Sequence, residues 1–454
     1  MTPPAPAAAI PPSNKTALFV VFFVVFIDLL GFGIVLPLLP RLAVEYMGGF
    51  SDTEKGLTIG LLFSSFSLMQ FVFSPIWGRW SDRVGRRPVI IISLIGSVVC
   101  YALFGFACTL PEASATLALV LLFVSRTGAG IAGGSVSTAS AIIADSTAPE
   151  KRSHGMALIG VAFGIGFTFG PLIALAGLIW LPTDPTNPTH VSQEWLWVPG
   201  GIASLLSLVA LVIAVRKLPE TLKPGNAAHA GRGGFSLSRA AEVLKLPAVG
   251  PLVLIYFLAI FAFANFEATL ALYTEKVMRF DDKANFLVFA GVGLVLMIAQ
   301  GGFYRRYAKK KVKEERLATV GLVFMFVGLG GLAAIAFAGY AAGFSADTVG
   351  GLAGLFYFST AVAVFGFAFV NPSVTALVSR NADPSRQGEI LGVNQSFAAL
   401  GRILGPLCGS VVFYQHPSRA LPFLVAGGVL VGVLFLLIGY AKNKPAVTEG
   451  SVTP

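Results

Sequence analysis

Long apolar stretches alternate with short polar segments along almost the whole chain. Each stretch is close to the ~20 residues that a helix needs to cross the hydrocarbon core of a bilayer. We number the predicted helices as spans 1 to 12 in chain order. They cover residues 16–39, 56–77, 88–110, 116–144, 154–180, 196–215, 247–272, 285–304, 317–342, 350–378, 388–414 and 420–441.

A weak internal repeat divides these spans into two sets. The segment RSHGMALIGVAFGIGFTFGP at 152–171 resembles RQGEILGVNQSFAALGRILGP at 386–406, an offset of half the chain. Two six-helix halves with a binding site at their interface are typical of secondary transporters. The predicted parts are a disordered tail at 1–15, an N-terminal half at 16–215, a cytoplasmic linker at 216–246, a C-terminal half at 247–441 and a C-terminal tail at 442–454.

The composition indicates that lipid is the solvent of this chain. Of its 454 residues, 55% are hydrophobic and 12% are charged, with a mean hydropathy of +0.80, whereas soluble domains carry about 25% charged residues. We therefore predict an all-α integral membrane protein. The cysteines lie inside apolar runs, and we find no nucleophile–base set, phosphate loop or metal cluster, so we expect no enzyme activity, no metal and no cofactor.

The net charge of +10 is unevenly distributed. If the N-terminus is cytoplasmic, 21 of the 32 lysines and arginines fall in inner loops and six in outer loops. The positive-inside rule then predicts both termini in the cytoplasm and a multi-pass protein of the inner or plasma membrane. The basic charge is explained by orientation, and we expect no nucleic-acid partner.

Four charged residues lie clearly within the spans: Asp28, Arg126, Glu267 and Arg402. Because intramembrane charge costs at least about 2.5 kcal/mol on insertion scales, each is a functional candidate. A carboxyl group can alternate between an apolar cavity and an arginine, and so carry a proton. We predict proton coupling by Asp28, Glu267 and Arg126; the alternative is a static ion pair, for example Asp28 with Arg126.

Polar side chains within the spans are the predicted substrate contacts. The alternative is that they form hydrogen bonds between helices, which contribute ~0.6 kcal/mol on average. The predicted set is Gln70, Asn265, Asn371, Asn394, Gln395 and Arg402.

Three stretches resemble signatures of the major facilitator superfamily. GRWSDRVGRRP resembles its inner-loop signature, SRTGAGIAGG, which contains Arg126, resembles its helix 4 signature, and GIGFTFGPLIALAG at 164–177 resembles its helix 5 antiporter signature. The residues that match the first signature are Gly78, Asp82, Gly85, Arg86 and Arg87, and those that match the third are Gly164, Gly166, Gly170, Pro171 and Gly177.

The whole chain resembles the twelve-helix drug:proton antiporter branch, and tetracycline-type efflux pumps in particular. Such pumps carry an acid, a histidine and an acid in helices 3, 8 and 9, where this chain has Cys100, Leu296 and Met325. The resemblance therefore implies an antiporter but not tetracycline as its substrate.

The inner-loop signature predicts a gate. Asp82 and Arg86 lie one helical turn apart and can pair, and Asp145 at the inner end of span 4 can complete a network. We expect this network to latch the two halves when the cytoplasmic side is closed; the alternative is that the loop only sets orientation. The span 5 glycines are expected to share one face, for leak-tight closure or for ordinary packing.

These observations predict a proton-coupled, alternating-access transporter that exports a small amphipathic molecule. It is expected to act as a monomer in the lipid bilayer, with protons and one small-molecule substrate as partners. One alternative is a proton-coupled uptake carrier for a sugar or another small metabolite. Another is a membrane receptor or scaffold that transports nothing.

Overall fold

The computed structural model describes residues 15–147, 152–185, 187–222, 237–310, 312–383 and 386–442. Most of them are helical, and Thr183 and Val191 form an isolated antiparallel β-bridge. The predicted tails, apart from their innermost residues, and residues 223–236 of the predicted linker lie outside the described residues. The helices are α1 Lys15–Val35, α2 Leu39–Glu45, α3 Asp52–Val84, α4 Arg86–Cys108, α5 Ala115–Gly133, α6 Val136–Asp145, α7 Arg152–Leu178, α8 Trp197–Lys217, α9 Leu237–Leu244, α10 Gly250–Lys276, α11 Asp282–Ile298, α12 Arg305–Lys309, α13 Glu314–Ala341, α14 Ala346–Asn381, α15 Gln387–Tyr414 and α16 Leu421–Lys442.

Eleven helical stretches of the described residues are long and apolar enough to cross a membrane. The prediction of an all-helical membrane protein is therefore confirmed. The predicted span 5 corresponds to α7. Its apolar part, Gly164–Leu178, is shorter than the eleven stretches above.

Three predicted spans are interrupted. Span 1 ends at Val35, shortly before Pro37, because proline cannot donate the next helical hydrogen bond. Span 4 breaks between α5 and α6, where a Cβ at Gly134 would lie 2.9 Å from Trp77 and 3.1 Å from the backbone of Ser74. Span 8 passes from α11 to α12 through a π-helical turn, Ala299–Tyr304. Glycine–serine pairs and π turns are common causes of helix kinks.

The helices group into two compact units. The first contains the described residues of 1–42, 68–234 and 282–293, and the second those of 43–67, 235–281 and 294–454. In the first unit α1 packs against α7 and α8, and α4 packs against α5 and α8. In the second α10 packs against α14, α15 and α16, and α13 packs against α14 and α16. The predicted halves, 16–215 and 247–441, stay a prediction.

Two helices are divided between the units. The first part of α3 packs on α15 in the second unit, where Ser64 Oγ donates to the Ile403 carbonyl at 2.5 Å. A Cβ at Gly60 would lie 2.8 Å from Leu407 Cα. The first part of α11 belongs to the first unit, where a Cβ at Gly293 would lie 2.4 Å from Thr168 Cα of α7. Glycine thus permits the backbones of these helix pairs to touch.

Candidate functional site

Asp28 is held in the middle of α1 by two side chains of α4. Its carboxylate accepts a hydrogen bond from Ser97 Oγ at 3.0 Å, and its carbonyl accepts one from the Tyr101 hydroxyl at 3.3 Å. Gly31 makes room for this tyrosine, because a Cβ there would lie 2.5 Å from the ring. No basic side chain of the described residues forms an ion pair with Asp28. The predicted alternative of a static pair with Arg126 is therefore not what the structure has.

Arg126 of α5 is 2% exposed. Its guanidinium lies over the Phe32 ring, 5.4 Å from the centroid, in the geometry of a cation–π contact. It also interacts electrostatically with the Tyr101 hydroxyl. Tyr101 therefore lies next to both Asp28 and Arg126, and α1, α4 and α5 together carry the charged group of the first unit.

Glu267 and Arg402 form the corresponding charged group of the second unit. Both side chains are half-buried, on α10 and α15. The Arg402 guanidinium interacts electrostatically with Glu267 and with Tyr256. The Tyr256 hydroxyl donates to Asn371 Oδ1 at 2.8 Å. The structure thus brings two predicted substrate contacts, Arg402 and Asn371, to the surroundings of one predicted proton carrier.

The remaining predicted substrate contacts are not part of these groups. Gln70 Nε2 donates to the Gly133 carbonyl at 3.2 Å, which joins α3 to α5. Asn265 and Asn394 are 0% exposed, and a Cβ at Gly409 of α15 would lie 2.9 Å from Asn265 Oδ1. Gln395 is exposed. For Gln70 and Asn265 the contacts are those of helix packing.

The predicted gate residues do meet, around a buried Arg86. Its Nη1 donates to the Asp82 carboxylate and to Ser81 Oγ, the latter at 2.7 Å. Its Nε donates to Asp145 Oδ2 at 3.3 Å. We call these four residues the Arg86 cluster.

A fifth group, Glu220, secures the turn from α3 to α4. It accepts four backbone N–H groups, among them those of Arg86 at 2.9 Å and Arg87 at 3.1 Å. Partial burial opposes the charge of Glu220, but these donors outweigh it and lower its pKa. Gly85 has φ = +105°, and a Cβ there would lie 2.5 Å from Glu220 Oε2. Glycine is required at this position on both counts.

The other residues of the two signatures have separate contacts. The Arg87 side chain donates to the Val215 carbonyl at 2.6 Å. A Cβ at Gly78 would meet Ser137 Oγ at an ordinary 3.6 Å.

The expectation that the four α7 glycines share one face is wrong for Gly164, which points away from the other three. Gly166 and Gly170 face α1, where an added Cβ would lie 2.8 Å from Leu29 and Leu30 respectively, and Pro171 also borders this contact. Gly177 faces Ile202 of α8, and a Cβ at Gly164 would have no neighbour within 4 Å. Since a helix turns by 100° per residue, positions two apart point in nearly opposite directions.

The structure contains a second ionic cluster that was not predicted. The Asp282 carboxylate accepts hydrogen bonds from Arg41 and from the Val191 N–H, the latter at 2.8 Å, and lies 3.4 Å from His190 Nδ1. The backbone N–H of Asp282 donates to the Thr189 carbonyl at 3.1 Å. We call Arg41, His190 and Asp282 the Asp282 cluster. Its members are too far apart in the chain for any local pattern to unite them.

Membrane helices with charged side chains at mid-depth are typical of transport proteins. The family model of the Major Facilitator Superfamily matches residues 21–406 and 330–453. The chain therefore belongs to this superfamily of transporters, which are not enzymes. No group of three or more histidine, cysteine or acidic side chains that could hold a metal occurs among the described residues.

Individual relatives define the branch. The chain is 31% identical to major facilitator superfamily domain-containing protein 10 of Mus musculus, over 99% of this chain and 97% of that protein. It is 26% identical to the class D tetracycline resistance protein of Salmonella ordonez, over 95% of this chain and 98% of that protein. It matches the crystal structure of the human organic anion transporter MFSD10 (TETRAN) with a TM-score of 0.62 and 27% identity, over 94% of this chain and 100% of that chain. The resemblance to tetracycline-type pumps is confirmed.

Proposed function

We propose that this protein is a proton-coupled secondary transporter that exports a small amphipathic organic anion by alternating access. The observation that carries the proposal is one carboxylate and one arginine within the apolar helices of each unit. Such charge is costly in a membrane and is retained where it moves protons or substrate. The names of the tetracycline resistance and organic anion transporter relatives support export and an anionic substrate respectively.

The two charged groups suggest different roles. In this proposal Asp28, which is hydrogen-bonded to Ser97, and Glu267 exchange the proton. Arg402 and Asn371 contact the anionic end of the substrate, and Arg126 compensates the charge near Asp28. Met325, which is buried, stands where tetracycline pumps have an acid, so the proposed substrate is an organic anion that needs no metal ion.

The proposed topology has twelve spans, with α7 as the fifth and both termini in the cytoplasm. The Arg86 cluster then lies at the cytoplasmic side and the Asp282 cluster at the outer side. We propose that each holds its own end closed in one half of the cycle. The protein acts as a monomer in the inner or plasma membrane.

The test is transport by purified protein in vesicles with an imposed pH gradient. The probes are tetracycline and aryl carboxylates such as salicylate, and uptake and internal pH are followed together. Wild type should accumulate an anion against its gradient and move protons in return. Asp28→Asn should abolish uphill transport, and Glu267→Gln should impair coupling while downhill exchange persists.

The roles proposed for Asp28 and Arg402 can be contradicted separately. Full uphill transport by Asp28→Asn would remove that residue from the proton pathway. Arg402→Gln should raise the anion concentration needed for half-maximal transport, whereas Leu404→Ala, at an exposed position of the same helix, should leave it unchanged. Equal behaviour of these two variants would contradict the anion site.

A further inference from the structure

The segment that follows α11 carries an unusual density of positive charge. Residues 305–316 contain seven lysines and arginines and two glutamates. Orientation in the membrane requires a positive bias in this loop, but it does not require the cations to surround a common space. The structure shows such a space.

The chain forms this space by changing its helical geometry. After α11 it makes the π-helical turn Ala299–Tyr304 before α12 begins at Arg305. π turns are often found at functional sites. Gly301 and Gly302 leave their backbone open, since a Cβ at either position would meet no atom within 4 Å. The resulting cavity of about 500 Å³ is lined by Gly301, Gly302, Arg305, Arg306, Lys309 and Lys310.

The four cations of this cavity are exposed. None of them forms an ion pair with a described residue. Glu314, the nearest acid along the chain, pairs instead with Arg380 of α14 at 2.7 Å. A cavity that holds four exposed cations and open backbone attracts a phosphate group.

An apolar strip leads into the cavity from the membrane side. Leu294 and Ile298, one helical turn apart on α11, are both exposed. The exposed rings of Phe303 and Tyr307 pack on Phe365 and Phe369 of α14. Tyrosine, the residue type of Tyr307, is enriched at the level of the lipid head groups. The strip gives an acyl chain a path that ends at the cations.

We propose that this cavity, which we call the α12 site, binds the head group of an anionic phospholipid. The phosphate lies among Arg305, Arg306, Lys309 and Lys310, and an acyl chain lies along Leu294 and Ile298. Clusters of four to eight basic residues next to a membrane helix bind anionic lipid in this way. The inference concerns binding alone and goes beyond the proposed transport function.

The experiment is native mass spectrometry of the purified full-length protein in detergent, titrated with lipid. The lipids are dioleoyl-phosphatidylglycerol and dioleoyl-phosphatidylcholine, and glycerol 3-phosphate is the soluble probe. One variant replaces Arg305, Arg306, Lys309 and Lys310 by glutamine. The matched control replaces four exposed cations elsewhere, Arg216, Lys217, Lys245 and Lys442, and has the same net charge.

Wild type should bind the first phosphatidylglycerol at least about tenfold more tightly than phosphatidylcholine, because each cation near anionic lipid contributes several-fold. The four-site variant should lose this preference and the control should keep it. Gly302→Leu, which fills the cavity without changing charge, should also weaken binding of phosphatidylglycerol.

Three results would each overturn the proposal: equal affinity of wild type and the four-site variant for phosphatidylglycerol, no preference over phosphatidylcholine, or equally tight binding of glycerol 3-phosphate. The last would assign the site to a soluble anion. Because the assay needs no transport, its failure is separate from failure of the proposed function.

Discussion

The Arg86 cluster and the Asp282 cluster are built in opposite ways. The first surrounds a basic residue with two acids, and the second surrounds an acid with Arg41 and His190. Both belong to the first unit. α8 begins shortly after His190 and ends shortly before Glu220, so the clusters lie at opposite ends of that helix.

Their burial differs as well. The acids of the Arg86 cluster are 27% and 31% exposed and Asp282 is 6% exposed, whereas Arg86 and Arg41 are alike at 10% and 9%. Arg86 can lose one partly exposed acid cheaply, because the other acid remains as its counter-ion. A buried pair cannot lose a partner in this way, since an unmatched charge is left out of water. We therefore expect the Arg86 cluster to break at a low free-energy cost and the Asp282 cluster to break at a higher one.

Replacement of Asp282 should have the largest effect. Asp282→Asn leaves the buried Arg41 without its counter-ion, and breaking a buried pair costs about 3–5 kcal/mol. We expect a marked fall in the unfolding temperature in detergent, measured by intrinsic fluorescence, together with loss of transport.

The matched control is Asp52→Asn. Asp52 pairs with Arg419 at 3.8 Å and is 57% exposed, so its loss should cost less than about 1 kcal/mol. Equal destabilisation by both variants would show that burial does not distinguish the clusters.

Replacement of Asp82 should have an intermediate effect. Asp82→Asn removes one of two acids from Arg86 and should weaken the closed cytoplasmic side by about 1 kcal/mol, which shifts the populations of the two states several-fold. Transport should fall while substrate still binds from the cytoplasmic side.

Arg79→Ala is the control for Asp82→Asn, because within the described residues the Arg79 side chain forms no ion pair and donates to the Pro75 carbonyl of its own helix. It should reduce transport much less. A loss as great as that of Asp82→Asn would indicate that the loop acts through its charge alone.

The smallest effect should come from Glu220, and it should depend on pH. Its pKa is lowered in the folded protein, so its stabilising contribution is complete well above the ordinary value of 4.5 and is lost as the pH falls through the folded-state pKa. Glu220→Gln should therefore be less stable than wild type at pH 7, by less than about 1 kcal/mol. The difference in unfolding temperature should narrow below pH 4.5. A constant difference between pH 7 and pH 3.5 would exclude ionisation as the cause.

The sequence could predict features whose signal is local. The apolar runs identified the spans, and the spacing of Asp82 and Arg86 identified a pair that the structure contains. Asp28 and Glu267 could be predicted for the same reason. The free-energy cost of a charge within a membrane span is a property of the residue itself.

Apart from the contact of Asp145 with Arg86, features that depend on distant contacts escaped prediction. Arg41 and Asp282 are 241 residues apart, and each alone is an ordinary loop charge. Asn265 packs against Gly409, which lies on another helix, so this packing contact could not be predicted from its own span. The break at Gly134 lies where Trp77 and Ser74 of α3 come close, contacts that the apolar run alone did not reveal.

The central claim is that the two clusters close opposite ends in alternation. It is tested most directly by distances between spin labels in a cysteine-free background. One pair, at residues 80 and 383, reports on the cytoplasmic side, and another, at residues 180 and 342, reports on the outer side. Asp82→Asn should lengthen the distance on the cytoplasmic side, and Asp282→Asn should lengthen the distance on the outer side. Lengthening of the same pair by both variants, or unchanged distances in both with transport lost, would contradict it.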